Sequence, residues 1–139
     1  PNVNNIMTGI ASAAGLTGTT ATIVVTFSAA VADCAIGVYA LYNLASTTPF
    51  AVNGAGQQSA TSVSTTLNIP SRAIAIAAIS NSGAGGNTTV SGLTEDVDVD
   101  YGGDTAAAAS LERMTAETGR AISASGLTAA WAMSVASWA

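Results

Sequence analysis

The chain has 139 residues, of which 49% are hydrophobic, only 5% are aromatic and just 8% are charged. One domain of this length buries roughly two-thirds of its unfolded surface, and side chains this small suit a thin core between β-sheets. Three basic residues against eight acidic ones, with no histidine, give a net charge of −5. This balance argues against a nucleic-acid-binding face, against zinc ligation and against a Cys–His nucleophile pair.

The low charge is itself a prediction about the surface. An ordinary soluble domain carries about 25% charged residues, whereas this chain carries 8%. Either Ser, Thr and Asn solvate the surface, or neighbouring molecules cover much of it. We favour coverage in an assembly, because few charges remain to keep an exposed surface soluble.

The chain begins with a weakly patterned segment, residues 1–16, which predicts an N-terminal arm or an edge strand. Residues 22–28 (Thr-Ile-Val-Val-Thr-Phe-Ser) then alternate, with Ile23, Val25 and Phe27 on one face. This period of two predicts a β-strand with one wet face.

Residues 21–45 are the most hydrophobic stretch of the chain. Polar residues, including Ser28 and Asp33, interrupt it, so we do not predict a membrane-spanning helix. Cys34 is the only cysteine and cannot form a disulfide within the chain. Its apolar neighbours predict a buried free thiol.

Two near-continuous apolar runs, residues 36–44 and 73–80, predict central strands that are buried on both faces. Between them, residues 62–69 alternate cleanly, which places Val63 and Leu67 on an inner face, and Pro70 then ends that strand.

The acidic run of residues 95–100 is the most distinctive local feature. On a regular strand Asp96, Asp98 and Asp100 share one face, where carboxylates repel one another unless water or a cation screens them. Asp104, beyond two glycines, could complete a calcium site, since Ca²⁺ takes about 6–8 oxygen ligands. We favour a solvated strand face. A calcium site and a contact with a partner's basic surface are the alternatives.

Residues 104–118 combine strong helix propensity with a poor apolar face, and we favour a strand over a short helix. Trp131 and Trp138 are seven residues apart and therefore fall on opposite faces of the closing strand. One indole is expected in the core, and the other, for which Trp138 is the candidate, could anchor an interface with a partner.

Gly, Pro and Asn punctuate the chain at short intervals, which separates about eight or nine strands. We therefore predict an all-β fold, an antiparallel, jelly-roll-like β-sandwich that forms a single domain over residues 1–139.

The second half of the chain has a recognisable order of features. An apolar strand at residues 73–79 leads into a Gly-rich loop, the segment 88–95, an Ala/Ser-rich stretch and a closing strand at residues 131–138. Over residues 62–139 this order resembles the jelly-roll or concanavalin-like β-sandwich domains of tailed-phage virion surface proteins.

The resemblance implies a non-enzymatic structural role as a capsid decoration or cement protein, or as a spike or fibre subunit at the virion surface. The partners it implies are the major capsid protein or another virion protein. We also expect a homo-oligomer, for which we favour a trimer, and we expect no nucleic-acid, membrane or cofactor partner and no catalytic residues. The alternative is a glycan-binding adhesion module on a phage or bacterial surface, with or without Ca²⁺. A repeat unit of a bacterial surface layer or filament remains a third hypothesis.

Overall fold

The computed structural model describes residues 2–3, 6–15, 17–83 and 87–139. In this part the chain is all β, which confirms the predicted fold class. Its eight described strands are β1 (Asn2–Val3), β2 (Ile6–Met7), β3 (Ala51–Ile69), β4 (Ala73–Ser82), β5 (Thr89–Ser91), β6 (Thr94–Asp100), β7 (Thr105–Arg113) and β8 (Glu117–Trp138). Within the same ranges there is no helix with the length and apolar character needed to cross a bilayer.

Six of these strands form one antiparallel sheet in the order β3-β8-β4-β7-β6, and β5 also pairs with β8. Strand β3 follows one edge of β8 along its length, while β4 and β5 share the other edge. Strands β1 and β2 form a separate antiparallel pair. The predicted arm or edge strand at the N-terminus is therefore a two-stranded pair followed by irregular chain. Pro1, Asn4, Asn5 and Leu16 lie outside the described residues.

The long ribbon of β3 and β8 is folded over on itself. The side-chain amide of Asn53 donates a hydrogen bond to the carbonyl of Thr66, 13 residues along the same strand, at 2.9 Å. In a straight strand these residues would lie about 43 Å apart. The register of β3 against β8 shifts twice between Gln57 and Ser62, so the ribbon bends there. Its two halves consequently face each other in a sandwich-like arrangement.

The main core lies between the two halves. Ile122 and Ala124 come from the first half of β8, and Trp131, Met133 and Val135 come from the second. The inward positions change from even to odd numbers along β8, as the bend requires. From the other strands, the core includes the predicted inward residues of β3 together with small side chains of β4 and β7, namely Val63, Leu67, Ile69, Ala75, Ala77, Ala107 and Ala109.

A second, smaller cluster covers the opposite face of the sheet. Ile76, Ala136 and Trp138 are buried there. Partly buried side chains from the irregular chain before β3 and from β4 pack against them, namely Ile10, Tyr39, Leu41, Leu44 and Ile74. The irregular chain therefore forms a third layer over the sheet.

Two strand predictions are wrong. Residues 22–28 and residues 36–44 form no strand, and most of their side chains are exposed or half-buried. Their alternating or apolar patterns indicate residues that suit a half-buried strand. The six-stranded sheet, however, is built from strands that all follow residue 50. The predicted burial of Cys34 is also wrong, because this thiol is free and exposed.

The remaining strand predictions are confirmed. Residues 73–80 lie in β4, between β8 and β7 in the sheet. The disputed segment 104–118 contains β7, a short turn and the beginning of β8 rather than a helix. Ala107 and Ala109 on β7 are buried in the main core, so tertiary packing overrides the local helix propensity.

Candidate interaction surface

The segment of residues 17–38, here called the exposed segment, is the most unusual surface of the molecule. Every one of its residues is exposed. Asp33 is its only charged residue. Its seven large apolar side chains are Ile23, Val24, Val25, Phe27, Val31, Ile36 and Val38. Single exposed apolar residues are ordinary on a protein surface, but so many on one segment with a single charge indicate a contact surface.

The backbone of the exposed segment is unpaired as well. Within the described residues, no backbone–backbone or side-chain hydrogen bond involves residues 17–38. Its sequence, rich in Thr, Val and Ile, favours an extended chain over a helix. The segment thus presents both apolar side chains and free backbone donors and acceptors.

The chain that follows the exposed segment is fastened to the sheet. The hydroxyl of Tyr39 donates to Asp96 Oδ2 at 2.6 Å. The amides of Ala45 and Ser46 donate to the carbonyl of Ala139 at 2.6 and 3.2 Å, and the amide of Phe50 donates to the carbonyl of Ser137 at 2.7 Å. The exposed segment therefore ends at a fixed point beside β6.

Tyr39 is a half-buried anchor with altered chemistry. Burial raises the pKa of its phenol above the usual value, and the hydrogen bond to the Asp96 carboxylate and the charge of that carboxylate add to the effect. The phenol therefore remains a protonated donor to Asp96 over the whole neutral range.

The acidic strand β6 does not form the single row of carboxylates that a regular strand predicts. Its register against β7 shifts between Glu95 and Val97, which leaves Asp96 in a β-bulge. Asp96 contacts Tyr39, whereas Asp98 Oδ2 accepts a hydrogen bond from the amide of Thr88 at 2.7 Å. The bulge therefore gives neighbouring carboxylates different partners.

The other two carboxylates of the alternative calcium site, those of Asp100 and Asp104, lie at the end of β6 and in the turn that follows it. Asp100 Oδ1 accepts from the amide of Gly102 at 2.7 Å, and the backbone carbonyl of Asp104 accepts from the amide of Tyr101 at 2.8 Å. Across the described ranges, no group of three or more His, Cys, Asp or Glu residues is placed to hold a metal ion. Asp96, Asp98, Asp100 and Asp104 are thus not brought together.

Asp98 also lines a polar concavity of about 460 Å³, formed with Asn87, Thr88, Thr89, Val90 and Glu95. Its Oδ1 atom is buried and has no hydrogen-bond partner in the described part of the chain. A buried acceptor of this kind favours a donor from water or from a ligand. This concavity is the candidate for small-molecule binding, and sequence reasoning did not identify it, because Thr88 meets Asp98 only through the fold.

The two tryptophans occupy opposite faces of β8, as their spacing predicts, with Trp131 in the main core and Trp138 in the second cluster. Both are buried, with 0% and 2% of their surfaces exposed. The indole of Trp131 donates to the carbonyl of Ala60 at 2.9 Å. Neither indole ring is accessible to a partner. Side chains distant in sequence, including Ile10 and Tyr39, pack over Trp138.

Comparisons of the chain with models of known protein families, with curated proteins and with solved structures found no match. The functional argument therefore rests on the chain's own residues. Sequence reasoning predicted a strand with one wet face at residues 22–28, within the exposed segment, and a central strand that begins at residue 36, near its end. The signal that could have corrected these predictions is that the segment is rich in β-branched residues and has a single charge, in a chain whose later segments already supply the strands of the sheet.

Proposed function

We propose that this protein is a non-enzymatic structural component of a virion surface, acting as a capsid decoration or cement protein or as a spike or fibre subunit. It works by packing against other proteins rather than by chemistry on a substrate. The observation that carries the proposal is the exposed segment, in which seven large apolar side chains and an unpaired backbone are presented with a single charge.

The composition supports the same role. A charged fraction of 8% is low for a protein that is solvated on all sides, and it suits one whose surface is covered in an assembly. The resemblance of residues 62–139 to tailed-phage surface domains supports the virion as that assembly. The implied partners are the major capsid or another virion protein and further copies of this chain.

Docking would stabilise both partners through mass action. A subunit that binds only the assembled form of a lattice stabilises the assembled lattice. The stabilising free energy grows with the logarithm of the ratio between the free concentration of the subunit and its Kd. The exposed segment is suited to this role because it already lacks structure of its own that would have to be broken. When the exposed segment becomes ordered on binding it loses conformational entropy, so the affinity per unit of buried area is lower than for a rigid surface.

A co-sedimentation assay with particles purified from the source of the chain tests this function. We expect the wild-type chain to bind the particles and the double variant Val25→Asp/Phe27→Asp to bind at least about tenfold more weakly. Met114→Asp is the matched control, because Met114 is 76% exposed but lies in the turn between β7 and β8. Failure of the wild-type chain to bind, together with no labelling of particles by antibodies to the chain, would overturn the proposal.

The polar concavity at Asp98 favours a second candidate function, a glycan-binding adhesion module. Residues with hydroxyl, amide and carboxylate side chains line this concavity, and the carboxylate of Asp98 has one oxygen, Oδ1, without a hydrogen-bond partner in the described part of the chain. Glycan-array binding that is lost in Asp98→Asn would support it, whereas silence of the wild-type chain on the array would reject it. Thermal melts with calcium and with a chelator test the calcium form, which requires a shift that Asp98→Asn abolishes.

A further inference from the structure

We infer that the exposed segment pairs as an antiparallel β-strand with the same segment of a second copy of this chain, in a twofold contact centred on Val25. This inference rests on the proposed function, because it names one partner and one mode of the protein packing proposed above. Four observations lead to it, and they concern the side-chain pattern, the free backbone, the neighbouring sheet edge and the apolar area.

Residues 22–28 have a pattern that is complementary to itself. If Val25 of one copy lies opposite Val25 of the other, Ile23 lies opposite Phe27 and Thr22 lies opposite Ser28. The face formed by Ile23, Val25 and Phe27 is then continuous across both strands. Aromatic and β-branched residues in direct cross-strand contact are among the pairs that stabilise antiparallel sheets, and this register places no charge across the contact.

The backbone is available for such pairing. Residues 22–28 form no strand in the isolated chain, and within the described residues their amides and carbonyls make no hydrogen bonds to the rest of the chain. Pairing with an identical segment satisfies these groups without breaking existing structure. An unpaired, uncharged stretch with high β-propensity is the kind of chain that adds to another strand.

The nearest sheet edge of the same chain is a poor partner. The exposed segment is followed directly by Tyr39, which is hydrogen-bonded to Asp96 of β6, an edge strand of the sheet. Four of the seven residues of β6 are acidic, namely Glu95, Asp96, Asp98 and Asp100. Charges on an edge strand discourage the addition of another strand, so β6 is a poor partner for the exposed segment.

The exposed segment also carries a large apolar area. Its seven large side chains are between 39% and 79% exposed. Together they present roughly 700 Å² of surface, against the about 800 Å² that each partner contributes to a standard interface, and Ile23, Val25 and Phe27 supply the part of it on the face that the pairing makes continuous. Because identical surfaces meet, the contact is isologous and closes at two copies, so the contact itself is twofold rather than threefold.

Cysteine crosslinking tests the pairing and its register. In the predicted register a cysteine at position 25 lies opposite its counterpart at a Cα separation that a disulfide can span, about 4.4–6.8 Å. The natural Cys34 is exposed but is nine residues beyond Val25, so the two copies of Cys34 are about 60 Å apart along the antiparallel ribbon. Wild-type Cys34 is therefore a built-in control for random collision.

We expect Val25→Cys/Cys34→Ser to form a covalent dimer under mild oxidation at least tenfold faster than the wild-type chain. Equal rates would overturn the inference. In sedimentation equilibrium without any other protein, we expect the wild-type chain and Met114→Asp to be dimers and Val25→Asp to be a monomer. Val25 is 47% exposed and lies outside both core clusters, and an unchanged circular dichroism spectrum would verify that the variant is folded.

A wild-type monomer at high concentration, or a dimer that persists in Val25→Asp, would also overturn the inference. Particle binding separates it from the proposed function. Dimers that bind no particle would reject the virion role and leave the pairing standing. Monomers that bind particles would reject the pairing and leave the virion role standing.

Discussion

The side chain of Asn53 links its own strand to Thr66 on the other half of the folded ribbon. Its Nδ2 donates to the Thr66 carbonyl and its Oδ1 accepts from the amide of Gly54, each at 2.9 Å. One amide side chain thus satisfies two backbone groups that strand pairing leaves free. Close to this link, Ser137 Oγ donates to the Asn68 carbonyl at 2.8 Å and also joins the two halves of the ribbon.

Asn53→Ala removes both hydrogen bonds, and we expect it to lower the free energy of unfolding by about 1 kcal/mol, since the site is exposed to water. Gln57→Ala on the same strand is the control, with an expected change within about 0.5 kcal/mol. Urea denaturation measures both. Equal midpoints for the two variants would show that the Asn53 link does not stabilise the fold.

Gly92 is expected to be irreplaceable by alanine. Its φ is +90°, and an added Cβ would overlap the carbonyl oxygen of Ala121, which is backbone and cannot move aside. We expect Gly92→Ala to destabilise the protein by about 3 kcal/mol. Gly103→Ala, where an added Cβ meets nothing within 4 Å, should cost less than about 1 kcal/mol. Thermal melts that rank the two variants in the opposite order would contradict this packing.

The two buried tryptophans should respond differently to the same substitution. Trp131→Phe removes an indole N–H that is bonded to Ala60, whereas the indole N–H of Trp138 is buried with no partner in the described part of the chain. Both variants lose similar volume. We expect Trp131→Phe to be more destabilising by about 1–3 kcal/mol, as measured by chemical denaturation. Equal losses would mean that the Trp131 hydrogen bond adds nothing.

Tyr39 should titrate above the ordinary tyrosine pKa of 10.0. A raised pKa means that the folded protein holds the phenolic proton more tightly, so the contribution to stability is complete below pH 10.0 and is lost as the pH rises through the folded-state pKa. The variant Tyr42→Phe/Tyr101→Phe leaves Tyr39 as the only phenol. Its phenolate absorbance should develop above pH 10.0.

Adding Asp96→Asn to that variant is expected to lower the midpoint of the Tyr39 titration, because the substitution removes the negative charge that accepts a hydrogen bond from the phenol. Burial would keep part of the shift. A midpoint that does not move would show that Asp96 has no influence on Tyr39.

Local patterns predicted two strands correctly, although the sheet partners of both strands lie far along the chain. Residues 62–69 and 73–80 form parts of β3 and β4 with the expected inward side chains, and the turn at Pro70 separates them. The same reasoning failed for residues 22–28 and 36–44, whose patterns are equally strong. A strand needs a partner as well as propensity, and nothing in a local pattern shows whether a partner is present.

The candidate site was predictable only in part. The low charge indicated a covered surface, and the acidic run of β6 was visible in the sequence. The sequence did not predict the β-bulge, after which Asp96 bonds to Tyr39 and Asp98 bonds to Thr88. A bulge depends on the register between two paired strands, which a single segment does not show. The burial of Trp138 could not be predicted for a similar reason, because the side chains that pack over it come from residues 10 and 39–44, far away in the sequence.

Composition and two-residue periodicity alone determined that this chain is all β, with a core of small side chains and few charges to solvate its surface. Only the tertiary structure decided which alternating segments belong to the sheet, where the ribbon of β3 and β8 bends, and which apolar segment is left outside. The reason is that periodicity is a property of neighbours along the chain, whereas strand pairing and burial depend on contacts between residues far apart in sequence.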